Sequence, residues 1–152
     1  MKLSHRSLVN FIRQSNEIEG IYREPTPIEI SFSKSFLEMK KIGISDLSAL
    51  VKAYQPEAML RDKEGLNVRI GRYYPTRGGP HIRGKLQDIL DNMEVNGSYI
   101  THLNYEALHP FTDGNGRSGR MLWAWGMGVK MNFDRSFLQE FYYQTLNEYT
   151  NG

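Results

Sequence analysis

The sequence predicts a mainly α-helical protein of one domain, from its length, its helical periodicity and the placement of its turn residues. At 152 residues the chain has the size of a single domain and can bury a core. Apolar residues recur at helical spacing, as with Ile82, Leu86 and Ile89. Glycine and proline separate the helical stretches, and residues 67–75 are the best candidate for a strand because they alternate.

The predicted elements follow one another with short connections. A first helix over residues 3–19 ends at Gly20, a residue suited to the position after a helix. The hairpin predicted over 67–75 turns near Gly71-Arg72. The other predicted helices cover 28–41, 45–55, Pro80 to Met93, Ser98 to about Leu108, Arg117 to about Met131, and about 136–149. The one from Arg117 is apolar nearly all round, which indicates a central buried element.

Composition excludes several classes of protein. The formal net charge of +2 is too small for a dedicated binder of polyanions, although a local basic patch stays compatible with it. The chain has no cysteine, which excludes disulfides and thiolate-bound zinc. The N-terminal residues lack the apolar region of a secretory signal, and the longest apolar run, 121–129, is too short to cross a membrane. We therefore expect a cytoplasmic protein with no membrane partner.

A glycine-rich loop, residues 110–116, lies between two predicted helices and carries the chemistry of the chain. Pro110 disfavours helical geometry at the residue before it, so the preceding helix is expected to end at His109. The next helix begins with Arg117 and Arg120, whose spacing places both on one face. Helix N-termini bind anions through backbone N–H groups, and arginine adds paired donors for phosphate. The segment therefore predicts a phosphate site.

Two further side chains of this segment suggest a reaction at the phosphate. Asp113 is a hard oxygen ligand, and Mg²⁺ is commonly held by one or two carboxylates together with the phosphates of a substrate. His109 is the natural general base, because histidine titrates near neutrality. Singly, Asp113 could instead cap the loop and His109 could be structural. Together they favour phosphoryl or nucleotidyl transfer from a nucleoside triphosphate.

The same segment resembles the active motif of the Fic family, H-x-F-x-[D/E]-G-N-G-R-x-x-R. The matching residues are His109, Phe111, Asp113, Gly114, Asn115, Gly116, Arg117 and Arg120. The resemblance implies the Fic fold, a helical bundle around the motif-bearing helix with a small β-hairpin flap upstream. Residues 67–75 occupy the place of that flap.

The resemblance also implies an activity, the transfer of AMP from ATP to a Tyr, Thr or Ser hydroxyl of a protein. By that likeness His109 deprotonates the target hydroxyl, Asp113 holds Mg²⁺, and Phe111 anchors the loop in the core. The implied binding residues for ATP are Gly114, Asn115 and Gly116 as an anion hole, with Arg117 and Arg120 on the β- and γ-phosphates. The flap is implied to hold the target by strand addition, its specificity residues being Val68, Ile70 and Tyr73.

A second motif lies in the first predicted helix. Ser15 and Glu19 fall on the same face as the apolar residues of that helix. A carboxylate on a core-facing stripe is costly unless paired, so Glu19 is expected either to meet a cation or to reach solvent where the helix frays. Ser15-x-x-x-Glu19-Gly20 resembles the family's inhibitory motif, [S/T]-x-x-x-E-[G/N]. The resemblance implies that Glu19 pairs with Arg120 and holds ATP in an unproductive pose.

The likeness covers nearly the whole chain and makes residues 1–152 a single Fic domain. Its parts are the inhibitory helix at 1–20, the flap hairpin at 67–75 and the active motif at 109–120. The implied partner is a protein with an accessible hydroxyl side chain, the chain itself being one candidate. Family members inhibit within a chain or across a dimer, so an oligomer stays open.

Several other functions stay open on the sequence alone. The Doc-like branch of the family transfers the terminal phosphate and has Lys where this chain has Gly116. Transfer of phosphocholine or UMP, removal of AMP, and nucleotide binding without turnover are also compatible with the motif. No nucleic acid partner is expected, because a target-docking or solvated face explains the basic strip equally well. That strip consists of Arg69, Arg72, Arg77, Arg83 and Lys85.

Overall fold

The described part of the chain folds into six helices. The computed structural model describes residues 4–128, and its helices are α1 (His5–Ile18), α2 (Pro27–Glu38), α3 (Ile44–Tyr54), α4 (His81–Asp91), α5 (Met93–Leu108) and α6 (Asn115–Met127). The prediction of a mainly helical fold is confirmed. The helix predicted over about 136–149 lies outside the described residues. Within 4–128, no helix combines the length and apolar character that a membrane span requires.

Helix α6 is the central element of this bundle. Its residues 121–124 are all buried, and Trp123 is among the largest side chains with no exposed surface. The helix contacts α1, α2, α3 and α5. The helix that is apolar nearly all round in sequence is therefore the one that the other helices surround. It begins at Asn115 instead of at the predicted Arg117.

Helix α5 carries the chain from the periphery to the loop before α6. It bends at Gly97, whose φ of 79° interrupts the helical backbone, so its second part begins near Ser98, where the sequence predicted a separate helix. Leu108 is its last residue, and His109 adopts a left-handed backbone with φ 51° and ψ 62°. Among residues 4–128, His109 is the only residue other than glycine with a positive φ. Such a backbone costs roughly 1–3 kcal/mol, which the surrounding contacts must offset.

A buried carboxylate joins the end of α1 to the start of α2. Thr26 and Glu29 form a capping box, in which Thr26 Oγ1 accepts from the Glu29 amide at 3.1 Å and Glu29 Oε1 accepts from the Thr26 amide at 2.8 Å. Both carboxylate oxygens of Glu29 also accept from the Arg23 guanidinium at 3.0 Å. Asn16 of α1 donates to the same carboxylate at 3.4 Å. Glu29 thereby fixes the helix that carries the proposed inhibitory residues.

The structure differs from the hairpin predicted over residues 67–75. Only its turn forms: Ile70 and Tyr73 exchange two backbone hydrogen bonds of 2.9 and 2.8 Å around Gly71-Arg72, where the turn was predicted. Outside the turn, the carbonyl groups of Leu66 and Thr76 accept from the buried Arg61 side chain at 3.1 and 2.9 Å. The two arms of the segment are thus held by a side chain instead of by each other, which alternation along the chain does not reveal.

Replacing Glu29 by Gln is expected to lower the free energy of unfolding by about 1–3 kcal/mol, because the neutral amide cannot keep both charge-assisted bonds from Arg23. Burial raises the pKa of Glu29, but the bonds from Arg23, Thr26 and Asn16 outweigh it and leave the pKa below its ordinary value of 4.5. On acidification the unfolded chain therefore takes up this proton first, so the stabilisation is present above the ordinary pKa and is lost as the pH falls through the folded pKa.

Urea unfolding of the two proteins between about pH 7 and about pH 3 measures this effect. The difference between them should shrink as the pH falls. A difference that stays constant over that range would show that the charge on Glu29 contributes nothing.

Candidate active site

The predicted site residues meet in one cleft of about 430 Å³, between α5, the N-terminus of α6 and the end of α1. Those that line it are Glu19, Ile70, His109, Asp113, Gly114, Asn115, Gly116, Arg117 and Arg120. Ser15 and Phe111 are buried beside it. Val68 and Tyr73, assigned to the flap, lie outside its lining. The sequence motif therefore corresponds to one cavity, and the flap contributes Ile70 to it.

The N-terminus of α6 points into the cleft. Gly114 caps the helix with a left-handed φ of 77°, which glycine adopts without strain. The first N–H groups of a helix have no acceptor within the helix, so those of residues 115–117 are available to an anion. The helix dipole also favours negative charge at this end. The free N–H groups and the helix dipole therefore make this end of α6 suited to a phosphate group.

The side chain of Asn115 holds the loop together. Its Oδ1 accepts from the Phe111 amide at 2.9 Å, and its Nδ2 donates to the Phe111 carbonyl at 2.8 Å. Phe111 is itself 1% exposed, so its ring anchors the loop in the core. The amide group of Asn115 therefore fixes the loop conformation, and its backbone N–H is left at the helix N-terminus.

Arg120 is held by the end of α1. Its Nη2 lies 2.6 Å from Glu19 Oε1, its Nε donates to Ser15 Oγ at 2.7 Å, and its Nη2 also donates to the Ser15 carbonyl at 3.0 Å. The core-facing stripe predicted for α1 includes the buried Ser15 but does not extend to Glu19. Glu19 follows the last residue of α1 and keeps 37% of its side chain exposed. A Cβ atom at Gly116 would overlap Glu19 Oε1, so this carboxylate lies directly on the first turn of α6.

Arg117 is a buried cation with an unmet donor. It is 3% exposed, and its guanidinium lies 5.4 Å from the centre of the Tyr54 ring. Its Nη1 donates to Asn16 Oδ1 at 3.4 Å, whereas its buried Nε has no hydrogen-bond partner. Among residues 4–128 it forms no ion pair, and burial lowers its pKa. An unpaired, desolvated guanidinium beside a helix N-terminus suits a phosphate group.

The surroundings of His109 favour its neutral form. Burial lowers the pKa of His109, the nearby Glu106 backbone partly offsets this effect, and the charge of Arg61 lowers the pKa further. A neutral imidazole is the form that can accept a proton. Nδ1 is buried and makes no hydrogen bond of good geometry, which leaves Nε2 as the nitrogen for the cleft.

Three residues that line the cleft, His102, Glu106 and Thr112, were not predicted as part of the site. His102 is buried, its Nδ1 donates to the Gly119 carbonyl at 3.1 Å, and burial lowers its pKa to about 4. Burial raises the pKa of Glu106 to about 7, with a smaller opposing effect from Arg120. His102 and Glu106 precede His109 on one helical face, and that spacing is the signal that could have identified them.

Asp113 is the acidic residue of the loop. Its Oδ1 accepts from the Gly114 amide at 2.7 Å. Nowhere in residues 4–128 do three or more histidine or carboxylate side chains gather as a set of metal ligands. A lone carboxylate beside a helix N-terminus that suits phosphate would fit Mg²⁺, which commonly keeps waters and binds through one carboxylate and the phosphates of its substrate.

Comparison of the sequence with protein-family models identifies the family of the chain. Residues 4–126 match the model of the Fic/DOC family. No curated protein matches the sequence significantly. The family match covers most of the chain, so the chain belongs to the Fic/DOC family, and its class is that of the Fic-type transferases.

Replacing Asn115 by Ala is expected to lower the free energy of unfolding by about 2–4 kcal/mol, because both main-chain groups of Phe111 lose their buried partner. Denaturant unfolding measures the change. Asn96→Ala is the matched control, since Asn96 is exposed on α5 and should change stability by less than about 0.5 kcal/mol. Equal effects of the two substitutions would contradict the role of Asn115 in fixing the loop.

Proposed function

We propose that this protein is an adenylyltransferase that moves AMP from ATP to a Tyr, Thr or Ser hydroxyl of a target protein, and that Glu19 inhibits it. One observation carries the proposal. A phosphate site with two arginines lies beside a histidine whose surroundings favour the neutral form, and a carboxylate of the same chain binds one of those arginines. The arginines and the histidine support a transferase for a phosphate-containing group. The contact between Glu19 and Arg120 supports its inhibition.

The proposed site for ATP is the first turn of α6 with its arginines. The N–H groups of residues 115–117 and the unmet Nε of Arg117 are donors for the phosphates. The space beside Gly116 is occupied by the Glu19 carboxylate in this structure, and it would be open to a phosphate group once Glu19 moves away. Asp113 would hold Mg²⁺, which neutralises charge on the phosphates when bound.

The proposed reaction is a displacement at the α-phosphorus. The hydroxyl oxygen of the target forms a bond to that phosphorus, while the bond from the phosphorus to the oxygen bridging to the β-phosphate breaks. Pyrophosphate leaves with that electron pair, and the hydroxyl proton passes to Nε2 of His109. Such a transfer needs positioning and neutralisation of charge more than covalent help, and α6 with its arginines supplies both.

AMP transfer is favoured over phosphate transfer by the residue at position 116. The resemblance links Lys at this position with transfer of the terminal phosphate, and this chain has Gly116. The small residue also permits the approach of Glu19 to the helix. The absence of Lys at position 116 supports AMP as the group transferred, and the approach of Glu19 bears on the proposed inhibition.

The proposed inhibition is electrostatic and steric. Glu19 brings a negative charge to the place where the helix N-terminus and Arg120 would meet phosphate. Ser15 adds two bonds to the same guanidinium, so Arg120 is fixed toward α1. A triphosphate must then bind without Arg120, which leaves its terminal phosphate without that cation.

Replacing Glu19 by Gly is expected to raise AMP transfer by about 10- to 100-fold, the equivalent of restoring one charge-assisted contact to Arg120. The measurement is protein labelling by α-labelled ATP in a cell lysate and on the chain itself. Glu17→Gly is the matched control, because Glu17 is exposed on the same helix and should leave the rate unchanged. His109→Ala in the Glu19→Gly background should abolish labelling.

The alternatives give different results in the same experiment. Labelling by γ-labelled ATP alone would indicate phosphate transfer. Nucleotide binding without any labelling would indicate a regulator without turnover. Equal labelling by the wild type and by Glu19→Gly would exclude inhibition by Glu19.

Replacing Ser15 by Ala is expected to give a rate between those of the wild type and Glu19→Gly. The substitution removes the bond from Arg120 Nε to Ser15 Oγ and leaves the Glu19 contact in place. The same labelling assay measures it, with Ser31→Ala on an exposed position of α2 as the control. A rate equal to that of the wild type would show that Glu19 holds Arg120 unaided.

A further inference from the structure

Arg61 is a fully buried cation next to His109 and the glycine-rich loop that follows it. It has no exposed surface and forms no ion pair with any residue of the described part of the chain. All of its side-chain hydrogen bonds go to backbone carbonyl groups. Nη2 donates to Leu108 at 2.9 Å, Nε to His109 at 2.7 Å, and Nη1 to Leu66 and Thr76 at 3.1 and 2.9 Å.

Two of these bonds define the backbone of His109. The Leu108 carbonyl belongs to the peptide plane before His109, and the His109 carbonyl belongs to the plane after it. One planar guanidinium that binds both therefore fixes the rotation of both planes about the His109 Cα atom. These rotations are the left-handed φ and ψ of His109, which the chain does not favour on its own. The guanidinium also meets the negative end of α5, where a cation is stabilising.

The other two bonds hold the turn segment of residues 66–76. Leu66 and Thr76 stand on either side of the Ile70–Tyr73 turn, and Nη1 of Arg61 binds both of their carbonyl groups. Ile70 at this turn lines the cleft. The Tyr73 hydroxyl donates to the Ala107 carbonyl at 2.8 Å, a second link from the turn to α5.

The backbone of Arg61 also links the chain just after His109 to the chain just after the turn segment. Its amide donates to the Pro110 carbonyl at 2.9 Å, and its carbonyl accepts from the Gly79 amide at 2.9 Å. A buried arginine without partners would destabilise the fold, and here four hydrogen bonds to carbonyl groups offset its burial. The two segments that it joins are those that would carry the base and receive the target.

We propose that Arg61 is a positioning residue that sets the His109 backbone for proton transfer and holds the Ile70–Tyr73 turn in register with it. The inference rests on the proposed function and deepens it. The base and the surface that receives the target hydroxyl then form one rigid unit, separate from the phosphate site on α6. Lysine cannot replace this residue, because an ammonium group lacks the planar fork that reaches all of these carbonyl groups at once.

The kinetic test is Arg61→Lys in the Glu19→Gly background. The turnover number kcat for AMP transfer is expected to fall about tenfold or more, because a small displacement of the base slows the reaction strongly. The KM for ATP should change by less than about twofold, since Arg61 donates to no group of the phosphate site. Leu47→Ala, which empties a buried position of α3, is the control for loss of stability alone.

At a temperature where all variants are folded, Leu47→Ala should keep the kcat of its parent. An unchanged kcat in Arg61→Lys, or an equal rise in the KM for ATP and fall in kcat, would overturn the inference.

A second readout does not depend on any transfer activity. Without nucleotide, Arg61→Lys should speed amide hydrogen exchange in residues 66–79 and 108–112 together, compared with the wild type. Faster exchange in only one of these segments, or in neither, would overturn the coupling. If Glu19→Gly transfers no AMP, the proposed function fails, and this measurement still decides the role of Arg61.

A third measurement covers the case in which Arg61→Lys does not fold. In the wild-type protein, NMR should show exchange of the Arg61 Nε–H with solvent slowed about 100-fold or more relative to that of the exposed Arg69. Fast exchange of the Arg61 Nε–H would mean that the bond to the His109 carbonyl is not maintained in solution, and would overturn the inference.

Discussion

The left-handed backbone at His109 is the constraint on which the site depends. Pro110 prevents α5 from continuing through His109, and the chain must turn within a few residues to begin α6 at Asn115. This turn places a histidine at the C-terminal end of one helix close to the N-terminal end of the next, which suits an anion. The strain of the turn is offset by bonds from Arg61 on one side and from Asn115 on the other.

Charge in the cleft is arranged around two arginines with different partners. Arg117 is buried against Tyr54 without an ion pair in the described residues, whereas Arg120 is bound by Ser15 and Glu19. The two cations of one motif therefore have different surroundings. If the proposed function holds, control of the reaction requires a displacement of the end of α1, because Ser15 and Glu19 bind Arg120 there.

The sequence predicted the parts of the fold that local chemistry determines. Periodicity placed the helices, Pro110 placed the end of α5, and the glycine-rich loop placed the start of α6 to within two residues. The all-round apolar character of α6 predicted its burial. Each of these features depends on residues that are close together in the chain.

Contacts between segments that are distant along the chain could not be predicted from the sequence. In the sequence, Arg61 has no feature that distinguishes it from other charged residues. The structure shows that it is buried and donates to carbonyl groups of distant segments, such as those of Leu66 and His109. The same bonds explain why residues 67–75 form a turn without strands. Glu19 lies half-exposed beyond the end of α1, and the family resemblance alone suggested its partner Arg120.

The central claim is that Glu19 keeps Arg120 away from the phosphates of ATP in an AMP-transferring site. A crystal structure of Glu19→Gly with Mg²⁺ and a non-hydrolysable ATP analogue tests it most directly. Arg120 should have left Ser15 to bind the phosphates, with the α-phosphorus facing His109. An analogue bound with Arg120 still on Ser15, or with its terminal phosphorus facing His109, would contradict it.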